Sequence, residues 1–274
     1  VALGFGGAAG IALSGAGADA KNLIRTDTTA FSSESNLTSA GGVTVNADND
    51  ANLTANIYTL SAAVAVGGAA GVGASIGVGL ARNIIGWKTN PATTYDYTSD
   101  LQSVVLTRGK RVKIGDGVRG GDVYEYTNFT DQTGVNLLEE DYGDKDFWKR
   151  VDLTRDVMEV TSYLLNTSVD AVGKLSVTAD ADGSINAEVL AGSVAAAGGV
   201  VGVAISGVGV GAENRIATKI DARIDGDGVN GSSDQGIEAS EIEILANDVS
   251  SIVARTGAAS IAAGFGAVGA AISV

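Results

Sequence analysis

The feature that most restricts the fold of this chain is an internal similarity written in a period of two. Gly10-Ile-Ala-Leu-Ser-Gly15-Ala-Gly-Ala-Asp-Ala20-Lys-Asn22 aligns without gaps to Gly202-Val-Ala-Ile-Ser-Gly207-Val-Gly-Val-Gly-Ala212-Glu-Asn214, and a third copy runs from Gly71 to Asn83. A fourth begins at Gly269. Upstream of the last three lies a second element: Val45-Asn-Ala-Asp-Asn-Asp, Val177-Thr-Ala-Asp-Ala-Asp and Ile244-Leu-Ala-Asn-Asp-Val. The interval from Val177 to Ile244 is close to that from Asn22 to Asn83, and the interval from Asn83 to Asn214 is roughly double. Units that cannot each close a core are expected to stack on their neighbours.

The run Leu60–Ala81 is uncharged throughout and long enough for a membrane helix. Its pattern argues for a strand. Val64, Val66, Val72, Ile76, Val78 and Leu80 fall on even positions, and Gly67, Gly71, Gly73, Gly77 and Gly79 on odd ones. A strand so patterned has one face of large side chains and one nearly bare face, whereas a helix scatters both classes round its axis. Membrane insertion is therefore not expected, and a Gly-zipper membrane-inserting segment is kept as an alternative. The bare face either lets sheets or chains approach one another or fills a tight interior, and the sequence leaves both open. In the copy that begins at Gly202 the alternation changes phase at Ser206-Gly207, which would suit a bulge or bend.

Between Thr93 and Asp170 there is no Ala, and residues 87–163 hold 10 of the 14 aromatics. The reading is an all-β, elongated β-solenoid or β-roll of Gly/Ala/Val-rich repeats over 1–85 and 173–274, with a small aromatic-rich module inserted at 86–172. Both ends fall inside apolar runs, Val1-Ala2-Leu3-Gly4 and Ile272-Ser273-Val274, so the repeats are expected to continue in a longer protein.

Composition removes whole classes of chemistry. With no His and no Cys there is no imidazole base, no thiolate nucleophile and no usual zinc or copper ligand. A net charge of −14 and a pI near 4.3 disfavour nucleic acid. The spacing Gly71-x-Gly73-x-x-x-Gly77 lacks the Lys and Ser/Thr of a phosphate loop. Hydrophobic content of 45% is ample for folding. No enzyme is expected.

The Ala/Gly/Val runs ending in Ala212-Glu-Asn-Arg-Ile216, the lead-in Val177-Thr-Ala-Asp-Ala-Asp182, and the module's Gly121-Asp-Val-Tyr-Glu-Tyr126, Leu137-Leu-Glu-Glu-Asp-Tyr142 and Phe147-Trp148 resemble giant repetitive bacterial exoproteins, the filamentous-haemagglutinin-like or RTX-associated adhesins. That resemblance implies a structural or adhesive segment of a secreted or cell-surface, extracellular protein, forming a stalk or filament without catalysis. Tandem Gly-Gly-x-Gly-x-Asp nonapeptides are missing; only Gly115-Asp-Gly-Val-Arg-Gly-Gly-Asp122 comes near one.

Two sets of residues stand out as candidate sites. Asp225, Asp227, Asn230 and Asp234 alternate with glycines as oxygen ligands do in calcium loops, although Gly236 stands where an EF-hand has its closing Glu. A polar turn joining two repeats is the other reading of this segment, and calcium is the cofactor its chemistry would take. The pairs Asp48/Asp50 and Asp180/Asp182 offer the same chemistry between strands. In the module, Glu139, Glu140, Asp141, Asp144 and Asp146 flank Tyr142, Phe147 and Trp148, which reads first as a solvated loop, then as a combination that suits a carbohydrate or cell-surface ligand and, in the alternative reading, a carbohydrate-active β-helix protein. Self-association along or between repeats is the remaining partner expected.

Overall fold

The computed structural model describes residues 1–117, 119–229 and 235–274. Among them are 23 strands and no helix, so no helix is long and apolar enough to cross a membrane. The chain divides into two units, Val1–Gly86 with Val157–Val274, and Trp87–Asp156.

In the first unit the chain visits the same sheets repeatedly in the same order. The first pass lays down β1 (Ala2–Gly6), β2 (Ala9–Ile24), β3 (Asp27–Ser33) and β4 (Asn36–Ser39). The second begins with β5 (Val43–Gly67) and β6 (Ala70–Ile85). Eight short strands of the second unit intervene: β7 (Trp87–Thr89), β8 (Tyr97–Thr98), β9 (Val104–Leu106), β10 (Arg111–Lys113), β11 (Val123–Tyr126), β12 (Gln132–Val135), β13 (Trp148–Arg150) and β14 (Leu153–Arg155). The second pass then finishes with β15 (Met158–Leu165) and β16 (Ser168–Ala171). The third is β17 (Lys174–Gly198), β18 (Val201–Ile216), β19 (Thr218–Asp225) and β20 (Ile237–Glu238). The fourth is β21 (Glu241–Asp248), β22 (Ser251–Phe265) and β23 (Val268–Ser273).

Each strand of one pass pairs in parallel with its counterpart in the next. The sheets are β1-β5-β17 with β21 and β22, then β2-β6-β18-β23, β3-β15-β19 and β4-β16-β20. Register follows the residues that align in sequence: Gly71 lies between Gly10 and Gly202, and Val177 between Val45 and Ile244. The offset in numbering is 61 from β2 to β6, where Asn22 meets Asn83, and 131 from β6 to β18, where Asn83 meets Asn214. The difference is the length of the inserted Trp87–Asp156, so without it these two offsets would be equal, whereas Val201 meets Val268, 67 residues on. The second unit thus ends at Asp156 and not near 172. Met158–Leu165 pairs with β3 and β19, a role that the missing Ala and the presence of Tyr163 conceal in the sequence.

The two largest sheets fold back on each other at the turns after Gly6, Gly67 and Gly198, and the bare face is the one turned inward. A Cβ placed on Gly71 would lie 2.3 Å from the Gly198 carbonyl oxygen, and one on Gly73 2.7 Å from that of Ala196. Only glycine permits backbones to come so close. Buried serines bridge the sheets: Ser206 Oγ donates to Ser193 Oγ at 2.8 Å, Ser193 to the Ser75 carbonyl at 2.8 Å, Ser75 to Ser61 at 2.8 Å, and Ser61 to Ser14 at 3.0 Å. Farther from the turn a ladder of amides joins the passes, Asn22 donating to Asn83 at 2.8 Å and Asn83 to Asn214 at 2.9 Å.

Away from the turns the interior widens. Larger residues fill it, first Ile57 and Val189, then Leu53, Ile85, Met158 and Ile185, and at the far end Leu164, Leu175 and Val177. This widening accounts for the phase change at Ser206-Gly207. β18 keeps unbroken register with β6, without a bulge, and Val210 packs inward because there is now room for it, whereas Val201 and Ile205 stand outside.

Candidate functional site

The Trp87–Asp156 unit is built round a small core. Its main sheet runs β13-β11-β10-β8, which sets Trp148 opposite Tyr126. Tyr124, Tyr126 and Trp148 pack with Leu106, Val112, Ile114 and Leu137, and Tyr142 and Phe147 close over them. The Trp148 ring lies 4.8 Å from Tyr142 and 5.5 Å from Tyr126 between centroids. Trp148 is 3% exposed and donates its indole N–H to Glu140 at 3.2 Å, so its face is not free to stack on a sugar. Tyr142 donates to the Leu137 carbonyl at 2.8 Å. Burial, then the Glu140 carboxylate, push its phenol well above the usual range, and Tyr126 is raised for the same reasons with Asp131 adding to them.

The neighbouring acids hold the loop. Asp141 accepts from the Gly143 amide at 2.8 Å and Asp144 from that of Asp146 at 2.9 Å. What remains open is a shallow cavity of about 270 Å³ with Ile114, Asp116, Arg119, Leu138, Glu140 and Tyr142 on its walls. Of the three aromatics singled out from sequence, Tyr142 alone reaches it. Rings that are accessible lie elsewhere. Phe129 is 80% exposed with the Arg108 guanidinium 3.9 Å above it, and Tyr95 has Lys113 at 5.3 Å.

A buried ion triad escapes the sequence reading. Arg150 reaches Asp122 at 2.7 Å and Asp152 at 2.8 Å, and Asp152 also accepts from the Val123 amide at 3.2 Å. Asp122 and Arg150 lie far apart in sequence, and only the β11–β13 pairing brings them together. The triad ties the sheet to the β14 strand; removing one member would strand a buried charge at a cost of about 3–5 kcal/mol.

Of the calcium candidates, Asp225 ends β19 and its carbonyl accepts from the Asn166 amide at 2.7 Å, while the Asp227 carbonyl accepts from the Gly236 amide at 2.7 Å. Asn230 and Asp234 lie outside the described residues. Register sets Asp48 beside Asp180 and Asp50 beside Asp182 on an outer face. Among the described residues no three carboxylates converge as metal ligands. On the sheet β4-β16-β20, Asp170 and Glu238 stand side by side at a second cavity of about 340 Å³.

Scans of known families, of characterised proteins and of solved structures find no match to this chain.

Proposed function

We propose that this chain is a structural segment of a large secreted or cell-surface bacterial protein, its passes stacked as a β-solenoid that serves as an adhesive stalk or fibre. The observation that carries the reading is the register. Positions that recur along the sequence, such as Asn22, Asn83 and Asn214, bond one pass to the next and do not converge on a pocket. A stack of this kind can be lengthened without designing a new core, because each pass offers the next the surface it received. Calcium held by Asp225, Asp227, Asn230 and Asp234 is the ion proposed to stiffen it.

Contact with a cell-surface or carbohydrate ligand is a second reading, favoured by the cavity that sets Tyr142 beside Glu140 and Arg119. Immunolabelling of intact cells that make the whole protein tests the exterior role, and labelling confined to permeabilised cells would overturn it. For the stack, fibre diffraction from aligned protein should give a reflection near 4.7–4.8 Å along the stacking axis. Its absence would remove the solenoid.

A further inference from the structure

The face turned outward near the tight turns is apolar on both of the large sheets. On one side stand Leu3, Phe5, Tyr58, Leu60 and Phe265; on the other, Ile11, Leu13, Ile76, Ile205 and Ile272, all more than a third exposed. The turns that join the two faces are Gly6-Gly-Ala-Ala9, Gly67-Gly-Ala-Ala70, Gly198-Gly-Val-Val201 and Phe265-Gly-Ala-Val268, with no polar side chain in any pass. Turns in water ordinarily draw on Gly, Pro, Asn, Asp or Ser, and of these only Gly is present here.

Charge begins at a similar depth on both sheets. Measured from the turn, the first charged residue of β2 is Asp19, of β6 Arg82, of β18 Glu213, of β17 Glu188 and of β22 Arg255. None lies nearer than about ten residues, or ~33 Å of extended strand. The hydrocarbon core of a bilayer is about 30 Å thick.

The geometry points to a zwitterionic lipid bilayer as the occupant: the turn end of the two-sheet unit enters the hydrocarbon as an apolar wedge, with the acidic remainder in water. A second copy would cover one face and leave the opposite face and the turn in water. Lipid covers both faces and the turn at once. Backbone groups of β6 and β17 are paired on both sides near the turn, as hydrocarbon demands, and β5 and β18 gain their second partner over Ala63–Gly67 and Val201–Ser206. This inference does not depend on the adhesive role proposed above.

Flotation of the whole chain with dioleoylphosphatidylcholine vesicles tests it. The protein should rise with the vesicles. Leu60→Glu and Ile76→Glu, at sites 70% and 58% exposed on opposite faces, should each weaken partitioning about 100-fold, with circular dichroism in water unchanged. Thr54→Glu, on the same outer face as Leu60 but nearer the charged zone, should change it little. A tryptophan placed by Leu60→Trp should be quenched by lipids brominated on the acyl chain, and one placed by Thr54→Trp should not. Failure to float, equal losses at Thr54 and Leu60, or absence of quenching would overturn the proposal. Lipid-free oligomers that Leu60→Glu dissociates, without vesicle binding, would do so too and would give the faces to a second copy.

Discussion

A glycine in this chain means different things on the two sides of one sheet. Gly71 faces inward, and an added methyl would press on the Gly198 carbonyl oxygen at 2.3 Å and its nitrogen at 3.0 Å, both backbone atoms that cannot step aside. Gly209 faces outward with no heavy atom within 4 Å of the same methyl. Gly71→Ala should therefore destabilise the first unit by about 1–3 kcal/mol, read as a lower urea midpoint. The Gly209→Ala midpoint should stay within about 0.5 kcal/mol of the parent. Equal costs at the two positions would contradict the inward placement. Large residues lean over such outward glycines: a methyl on Gly211 would meet Leu80 at 2.9 Å, and one on Gly192 would meet Leu60 at 3.0 Å.

Among the elements, the aromatic unit carries its own pH sensitivity. Phenols of Tyr126 and Tyr142 are held above the free value of about 10 by burial and by Glu140, so the fold favours their neutral forms. Their contribution is complete below pH ~10 and is lost as pH rises through the folded values. Alkaline titration followed at 295 nm should show late-ionising tyrosines whose absorbance change coincides with loss of near-ultraviolet circular dichroism. Tyr142→Phe should remove part of the late phase. Excision is a second test at this scale. β7 and β14 pair antiparallel, Trp87 opposite Arg155, so the two ends of the unit are neighbours. A chain in which Gly86 is joined to Val157 through a short Gly/Ser linker should keep the strand signature and cooperative melting of the first unit. Loss of both would mean that the parallel stack needs the unit to fold.

Over the whole molecule, a net charge of −14 opposes compaction, and the register aggravates it by placing Asp48 against Asp180 and Asp50 against Asp182. If calcium relieves this repulsion, a site filled at ten times its Kd adds about 1.4 kcal/mol, and several sites add up. Thermal melts in millimolar calcium should lie above those in excess chelator, and Asp225→Asn with Asp227→Asn should narrow the gap. Coincident melts would retire calcium as the ion.

The period of two and the gapless alignment of Gly10–Asn22 with Gly202–Asn214 were enough to place strands and to choose which residues lie side by side, and local composition was enough to mark an aromatic stretch. Those properties depend on local spacing, which a linear chain displays directly. Where the stretch ends was not legible, because Met158–Leu165 owes its place to partners that lie far away in sequence on either side, Asp27–Ser33 before it and Thr218–Asp225 after it. Nor could alternation say which face turns inward. Branched side chains suggest a core, yet the distance between the sheets decides the matter: near the turns it admits only Gly, Ala and Ser, and farther along it admits Leu and Ile. Trp148 shows the same limit. An aromatic among acids reads equally as a platform or as a core, and only the closure of Tyr126 and Tyr142 around the ring made it core. Sheet separation and ring closure are set by all the packed elements together, so they belong to the tertiary structure alone.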